Sequence, residues 1–460
     1  MSLMKIKTGK AFLIILAFSA VASFAQEKKW TLEECVKYAM EKNISIRQSE
    51  LDLKVSEIDK KDAFSNFLPD VNATASHSWS IGLTQSISGI LEQQTTQFTN
   101  AGINTGVDLY KGLQNQKQFR RQQMAIVASK YKLVKMQEDV SINVANAFLQ
   151  ILFNKENLKV QQEQLKVDMN QAERTAELVE GGSVPRGDLL DIEATVAADR
   201  QRVIQSENQL LISKLSLAQL LQLEEFWTFD IADDDYDLAE SAVMLKTPRE
   251  IYDVAKQLRT EIKIAQANLE VAEQDVKIAR SAYQPTLRGF YSLDTRVTYA
   301  DYSTFEGGQL VTITPPPFWT QFWDNKGHNF GFQLSIPVFN GFSVRNNVER
   351  SKIALDRTKL AYEQQELDLE RNVYTAFTDA QGALKAYEAA VSAAQAREQS
   401  LDYAKERYEV GLINIFDLNQ AQTLAVNSQS EVLRTKYDYI FKVKILEFYF
   451  GIPIAQINQK

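Results

Sequence analysis

The residues of this chain able to do chemistry are few, and their spacing argues against catalysis. Its two histidines, His77 and His328, sit in strand-like runs away from any carboxylate cluster. The single cysteine, Cys35, allows no intrachain disulfide. Its neighbours Glu33 and Glu34 do not resemble a lipoprotein processing site, so Cys35 reads as a partly buried small residue. The sequence contains no HExxH, no CxxC and no glycine-rich phosphate loop. Most carboxylates, such as Glu33 with Glu34 or Glu366 with Glu370, lie at helical spacings among lysines and arginines, the pattern of solvated faces. The expectation is no enzyme, no metal site and no cofactor. Two carboxylates stand apart: Asp188 and Asp417 each follow a glycine, Gly182 or Gly411, by six residues and open a helix. There a negative charge offsets the positive end of the helix dipole. In a closed ring of identical chains the same side chains would form a ring of carboxylates, the device that selects cations and gates pores.

The elements that must position these residues come from a chain of 460 residues with only 9 prolines and 18 glycines, which cluster. Fewer breakers mean longer elements. Lys5, Lys7 and Lys10 precede the apolar run AFLIILAFSAVASFA, the pattern of a secretory signal peptide over 1–25. Removing it shifts the formal charge from −8 to −11, and an acidic chain without a basic tract is not expected to bind nucleic acid.

The sequence is written twice. A shift of 229 places Gly112 on Gly341, Ala147-Phe148 on Ala376-Phe377, Gly182 on Gly411 and Asp188 on Asp417. Upstream, a shift of 216 places Thr31 on Thr247, Ala39 on Ala255 and Pro69 on Pro285, leaving a longer loop in the second copy. Repeat 1 spans 26–229, with a helix over about 31–66, strands at about 70–82 and 101–110, a long helix over 111–180 and a helix over 187–222. Repeat 2 spans 247–460, with a helix, strands at about 286–299 and 328–339, and helices over 341–410 and 415–448. The acidic, aromatic segment 230–246 reads as a connector, with Asp233-Asp234-Asp235 as a solvated turn. Along the first long helix Leu158, Leu165, Ala172 and Val179 recur every seven residues, with Met169 and Ala176 between them, as in a coiled-coil seam. At 1.5 Å per residue such a helix is ~100 Å long.

The strands alternate. Val71, Ala73, Ala75, His77, Trp79 and Ile81 oppose Asn72, Thr74, Ser76, Ser78 and Ser80, and Phe330, Phe332, Leu334 and Ile336 oppose Asn329, Gln333 and Ser335. Runs of this length with one apolar face suit transmembrane β-strands, which need ~9–11 residues. A half-buried sheet in a soluble protein alternates in the same way; the signal peptide, the aromatics and the helix lengths favour lipid. Four strands do not close a barrel, and an open edge in lipid leaves backbone groups unpaired. The chain must therefore oligomerise, and periodicity does not choose between two copies and three. The inserts 82–100 and 300–327 are expected to be outer loops. The Pro315-Pro316-Pro317 run with Phe318, Trp319, Phe322 and Trp323 is a lid or an interfacial aromatic belt.

Two repeats, each with a strand pair between a proline (Pro69, Pro285) and a strand-to-helix glycine (GVDLYKGL, SIPVFNGF), and each ending in a VGL-like turn before an Asp, resemble the TolC-type outer membrane efflux proteins over nearly the whole chain. The resemblance implies a mainly α fold with transmembrane β. Long α-helical hairpins would form a periplasmic α-barrel, and four strands per chain would enter a shared twelve-stranded barrel in a homotrimer. It further implies a passive exit duct in the bacterial outer membrane, fed by an inner-membrane pump through a periplasmic adaptor. The alternative from another class is a non-transporting structural or adhesive stalk anchored by a small β-barrel. Carried over by position, Val410, Gly411 and Leu412 are the adaptor-docking tip, while the first copy has Gly181, Gly182 and Ser183 there. Asp417 takes the place of the first gate acid and Gln420 that of the second. Asp188 and Asp191 supply the carboxylates of the first copy, and Tyr408 matches a gate tyrosine. The arginine that joins that tyrosine in the family is Ile413 here, with Arg186 nearby in the other copy.

Overall fold

A computed structural model describes residues 29–85, 91–233 and 241–454; the expected signal peptide, Asp234 and Asp235 lie outside them. The helices are α1 (Leu32–Lys42), α2 (Ile44–Ser65), α3 (Gln114–Glu180), α4 (Arg186–Leu221), α5 (Pro248–Leu258), α6 (Thr260–Ser281), α7 (Phe318–Asp324), α8 (Ser343–Glu409) and α9 (Ile415–Phe450). They come in equal pairs. α3 and α8 have 67 residues each and α4 and α9 have 36. α1 and α5 open with matching capping boxes, Thr31 with Glu34 and Thr247 with Glu250. Among the described residues no helix is long and apolar enough to cross a membrane.

The single helix expected over about 31–66 is two helices. Asn43 leaves the helical region (φ −59°, ψ 130°). Its Nδ2 donates to Leu220 O at 2.9 Å, and its Oδ1 accepts from Ser45 N at 2.9 Å and so starts α2. The second copy breaks at Arg259 (φ −65°, ψ 132°). That buried guanidinium donates to Glu138 Oε2 at 2.9 Å and lies 3.6 Å from the Phe448 ring centroid. Only one residue leaves the helix in each case, so the apolar periodicity runs through the break unchanged.

The chain divides into two compact units. One unit combines Tyr131–Ile262 and Gln364–Lys460 with the chain up to Glu50. Its core joins Val144, Phe148 and Ile151 of α3 to Leu217 and Leu221 of α4 and to Cys35 and Ala39 of α1. Cys35 is fully rather than partly buried. The start of the expected connector joins this core: strand β4 (Asp230–Ile231) pairs in parallel with β1 (Lys29–Trp30), and Ile231 is buried beside Phe229, the residue before the connector. Asp233 is exposed, as expected of a solvated turn, and it also meets Lys155 at 2.8 Å and Lys29 at 2.5 Å. Burial pushes its pKa up, but the two lysines outweigh burial and hold it at about 2.

The other unit, Leu51–Lys130 with Lys263–Glu363, carries an antiparallel sheet in the order β2 (Asp70–Gln85), β3 (Leu91–Lys111), β5 (Thr286–Thr298) and β8 (Gly327–Ser335). Its register places Thr74, Gly102, Asp294 and Gly327 in one row and Ala73, Ile103, Leu293 and His328 in the next. One face is therefore polar and the other apolar. Trp79, Ile81, Phe330 and Phe332 on the apolar face are exposed. The polar face is packed around missing side chains: a Cβ at Gly102 would meet the Asp294 carboxylate, and one at Gly106 would lie 2.5 Å from Arg288 Nη2. The ladder extends past the expected strand ends, since Gln85 still pairs with Leu91. Most of the insert 82–100 is thus strand, its threonines and glutamines keeping the ladder after the apolar alternation ends. The insert 300–327 is likewise no plain loop. It folds into the hairpin β6 (Tyr302–Glu306) and β7 (Gln309–Ile313), turned at Gly307-Gly308, and then α7. The last strand stops at Ser335 rather than about 339, where Pro337 has no N–H to donate.

Candidate functional site

Each long helix ends in the same turn. Gly182 (φ +72°) and Gly411 (φ +75°) are left-handed, the conformation an L side chain resists. Ser183 N then donates back to Leu178 O at 2.8 Å, and Leu412 N to Arg407 O at 2.8 Å, the closing bond of a Schellman cap. The next helices start differently. Pro185 precedes α4 without a side-chain cap, whereas Asn414 Oδ1 accepts from Asp417 N at 2.9 Å. Gly181 and Ser183 are exposed in one tip, and Val410 and Leu412 in the other.

The structure gathers only part of the expected gate. Asp188 and Tyr408 line a cavity of about 560 Å³ with Gly411 and Ile413. Tyr408 Oη is buried there without a hydrogen-bond partner. Asp191, Asp417 and Gln420 are exposed and do not line this cavity. Asp188 and Asp417 both stand in the first turn of their helices, so each also serves the helix dipole. Arg174, Lys405 and Glu409 complete the charged lining, and nothing in the sequence sets them apart. They lie among other charges at helical spacing and look like solvated faces. The cavity mixes two cations with two carboxylates and sets no nucleophile beside a base.

The strongest electrostatic feature of the hairpin is equally hidden in the sequence. The seam expected through Leu165 and Met169 does not bury Met169; the fully buried positions are Asp168 and Thr175. Opposite, α4 buries Ile192, Val196, Asp199, Val203 and Ser206 at coiled-coil spacing. Two carboxyl groups thus meet inside the wall. Asp168 Oδ2 accepts from Gln164 Nε2 at 2.7 Å, and Asp199 Oδ1 accepts from Arg202 Nη1 at 2.8 Å. Asp168 Oδ1 and Asp199 Oδ2 have no other donor. Burial, and then the facing Asp199, push Asp168 up to about 7, so the pair holds a proton near neutral pH. The signal available in sequence was an Asp at a core position of the α4 heptad.

The comparisons with known proteins bear on the whole chain. The profile of the family described as "Outer membrane efflux protein" matches residues 36–222 and 251–451. A pyoverdine export outer membrane protein, OpmQ of Pseudomonas aeruginosa, is 24% identical over 390 residues, covering 80% of this chain and 74% of its own length. Outer membrane protein TolC of Escherichia coli K12 is 22% identical over 438 residues, covering 93% and 83%. The crystal structure of CusC superposes with a TM-score of 0.76 at 17% identity, covering 94% of this chain and 96% of that one, and shares the fold.

Proposed function

The chain belongs to the outer membrane efflux protein family, and from that premise we propose that it is the outer membrane duct of a tripartite efflux or secretion system. It is a non-enzymatic transport channel of the outer membrane, with its long helices on the periplasmic side. The observation that carries the finer reading is the sheet. It has one exposed apolar face, one polar face, and two edges, β2 and β8, unpaired among the described residues. Such a sheet in lipid must close with copies of itself, and three copies give a twelve-stranded barrel with Asn72, Asn104, Asp294 and Gln333 toward the lumen. The equal helix pairs, offset by 229 or 216 residues, support an internal duplication. In the assembled ring the duplication presents six tips of two alternating kinds.

Substrate then passes passively, delivered by an inner-membrane pump through a periplasmic adaptor. The adaptor seats on Val410, Gly411 and Leu412 and, at the alternate tips, on Gly181, Gly182 and Ser183. Asp188, Asp191, Asp417, Gln420 and Tyr408 form the periplasmic gate. Native mass measurement on protein extracted from outer membranes tests the assembly. A trimer is expected, and a folded, membrane-embedded monomer would remove the duct.

A further inference from the structure

The sheet has a short stretch of edge that its own last strand does not reach. β8 begins at Gly327, paired with Asp294, so the last residues of β5, Arg296 to Thr298, have no strand on that side. α7 takes the strand's place. The amide of Gln321 accepts from Thr298 N at 3.0 Å and donates to Thr298 O at 3.0 Å, as a neighbouring strand would. Its Nε2 also donates to Pro316 O at 2.6 Å, and Gln321 is buried. One turn further on, Asn325 Nδ2 donates to Arg296 O at 2.8 Å. Thr295 Oγ1 donates to Phe322 O at 2.8 Å and pins the helix against the strand.

Fixing a short helix by its polar side chains leaves its aromatic residues facing outward. Phe318 and Phe322 stack at 5.7 Å, while Trp319 and Trp323, one turn apart, are 66% and 60% exposed. Lys326 Nζ lies 6.0 Å from the Trp323 ring centroid. The register fixes the height of this patch: Thr298 is level with Phe98 and Ser78, beside the apolar-face cluster of His77, Trp79 and Tyr299. Below that level the apolar face continues through Ala75, Ala73 and Val71; above it Ile81 and Leu83 keep the apolar side of β2, while their partners on β3 turn to threonine and glutamine, Thr95 and Gln93.

We propose that α7 is an interfacial anchor whose Trp319 and Trp323 insert at the headgroup–acyl boundary of the outer leaflet, with Lys326 toward anionic lipid phosphates. The patch continues the lipid-facing surface of the sheet, at the level where indole rings partition into a bilayer. The Gln321 and Asn325 amides keep the exposed strand end hydrogen-bonded while the aromatic side chains enter lipid. This rests on the reading of the sheet as membrane-spanning, and Trp79 provides an internal check on that reading.

The test is tryptophan quenching of the full-length protein in vesicles that contain phospholipids brominated either near the headgroup or deep in the acyl chain. Lipids brominated near the headgroup are expected to quench a component that W319F and W323F each diminish and deep-brominated lipids leave largely intact. Q321A, which keeps both indoles, is expected to lose that component as α7 detaches. Quenching of Trp79, identified by its loss in W79F, together with no bromolipid effect on Trp319 and Trp323, would overturn the anchor. Acrylamide access would then show whether they face water or a second copy. If Trp79 is unquenched as well, the spanning-sheet reading falls with it.

Discussion

At the scale of single residues, the buried Asp168–Asp199 pair has the most testable consequence. Folding raises the pKa of Asp168, so the folded protein holds that proton more tightly than the unfolded chain. Its contribution to stability is full below the ordinary carboxylate range near 4 and is lost as pH rises through about 7. Replacing Asp168 by Asn keeps a neutral partner for Asp199. Thermal unfolding should therefore show D168N to be more stable than wild type at pH 8, by a few kcal/mol at most, and little different near pH 4. An unchanged pH slope would show that the pair shares no proton. The tip glycines give a second expectation. A Cβ at Gly182 or Gly411 would have open space around it, so alanine there meets only the left-handed backbone, at a cost of ~1 kcal/mol each. Circular-dichroism melts of G182A and G411A should fall slightly and equally.

At the scale of elements, the sheet is held by its ladder and leaves one glycine little room for a side chain. A side chain at Gly102 would meet the Asp294 carboxylate and the Leu293 carbonyl 3.0 Å away, one at Gly106 would meet only the end of the Arg288 side chain, which can swing aside, and Gly82 faces open space. G102V is expected to lose roughly 1–3 kcal/mol from overpacking and to shift toward the unfolded band in heat-modifiability gels, with G106V and G82V little affected. The long helices were legible because 70 residues without a proline leave few other options. The strands were legible only while apolar residues alternated. Past Ile81 the ladder persists through Thr and Gln backbone pairing that no hydropathy pattern reports. The breaks at Asn43 and Arg259 were invisible because their cause is long-range: a carbonyl of Leu220 in one case and Glu138 with Phe448 in the other. The same holds at the tips. Spacing brought out Gly182, Gly411, Asp188 and Asp417, but whether a given acid lines the cavity depends on helix rotation, which puts Asp188 inside and Asp417 outside.

At the scale of the whole molecule, an acidic chain of the outer membrane efflux protein family exposes apolar strand faces and, among the described residues, leaves two sheet edges unpaired, which is why closure with further copies is proposed. In the duct proposed for this chain Asp188, Asp191 and Asp417 would recur in every copy, so their charges would concentrate at one end of the pore and set both its closure and its preference for cations. The most direct test is single-channel conductance in planar bilayers for the wild-type protein beside the variant carrying Asp188→Ala, Asp191→Ala and Asp417→Ala. Discrete, cation-preferring steps are expected from both, larger and less selective in the variant. The absence of steps from either folded, inserted protein would rule out a duct.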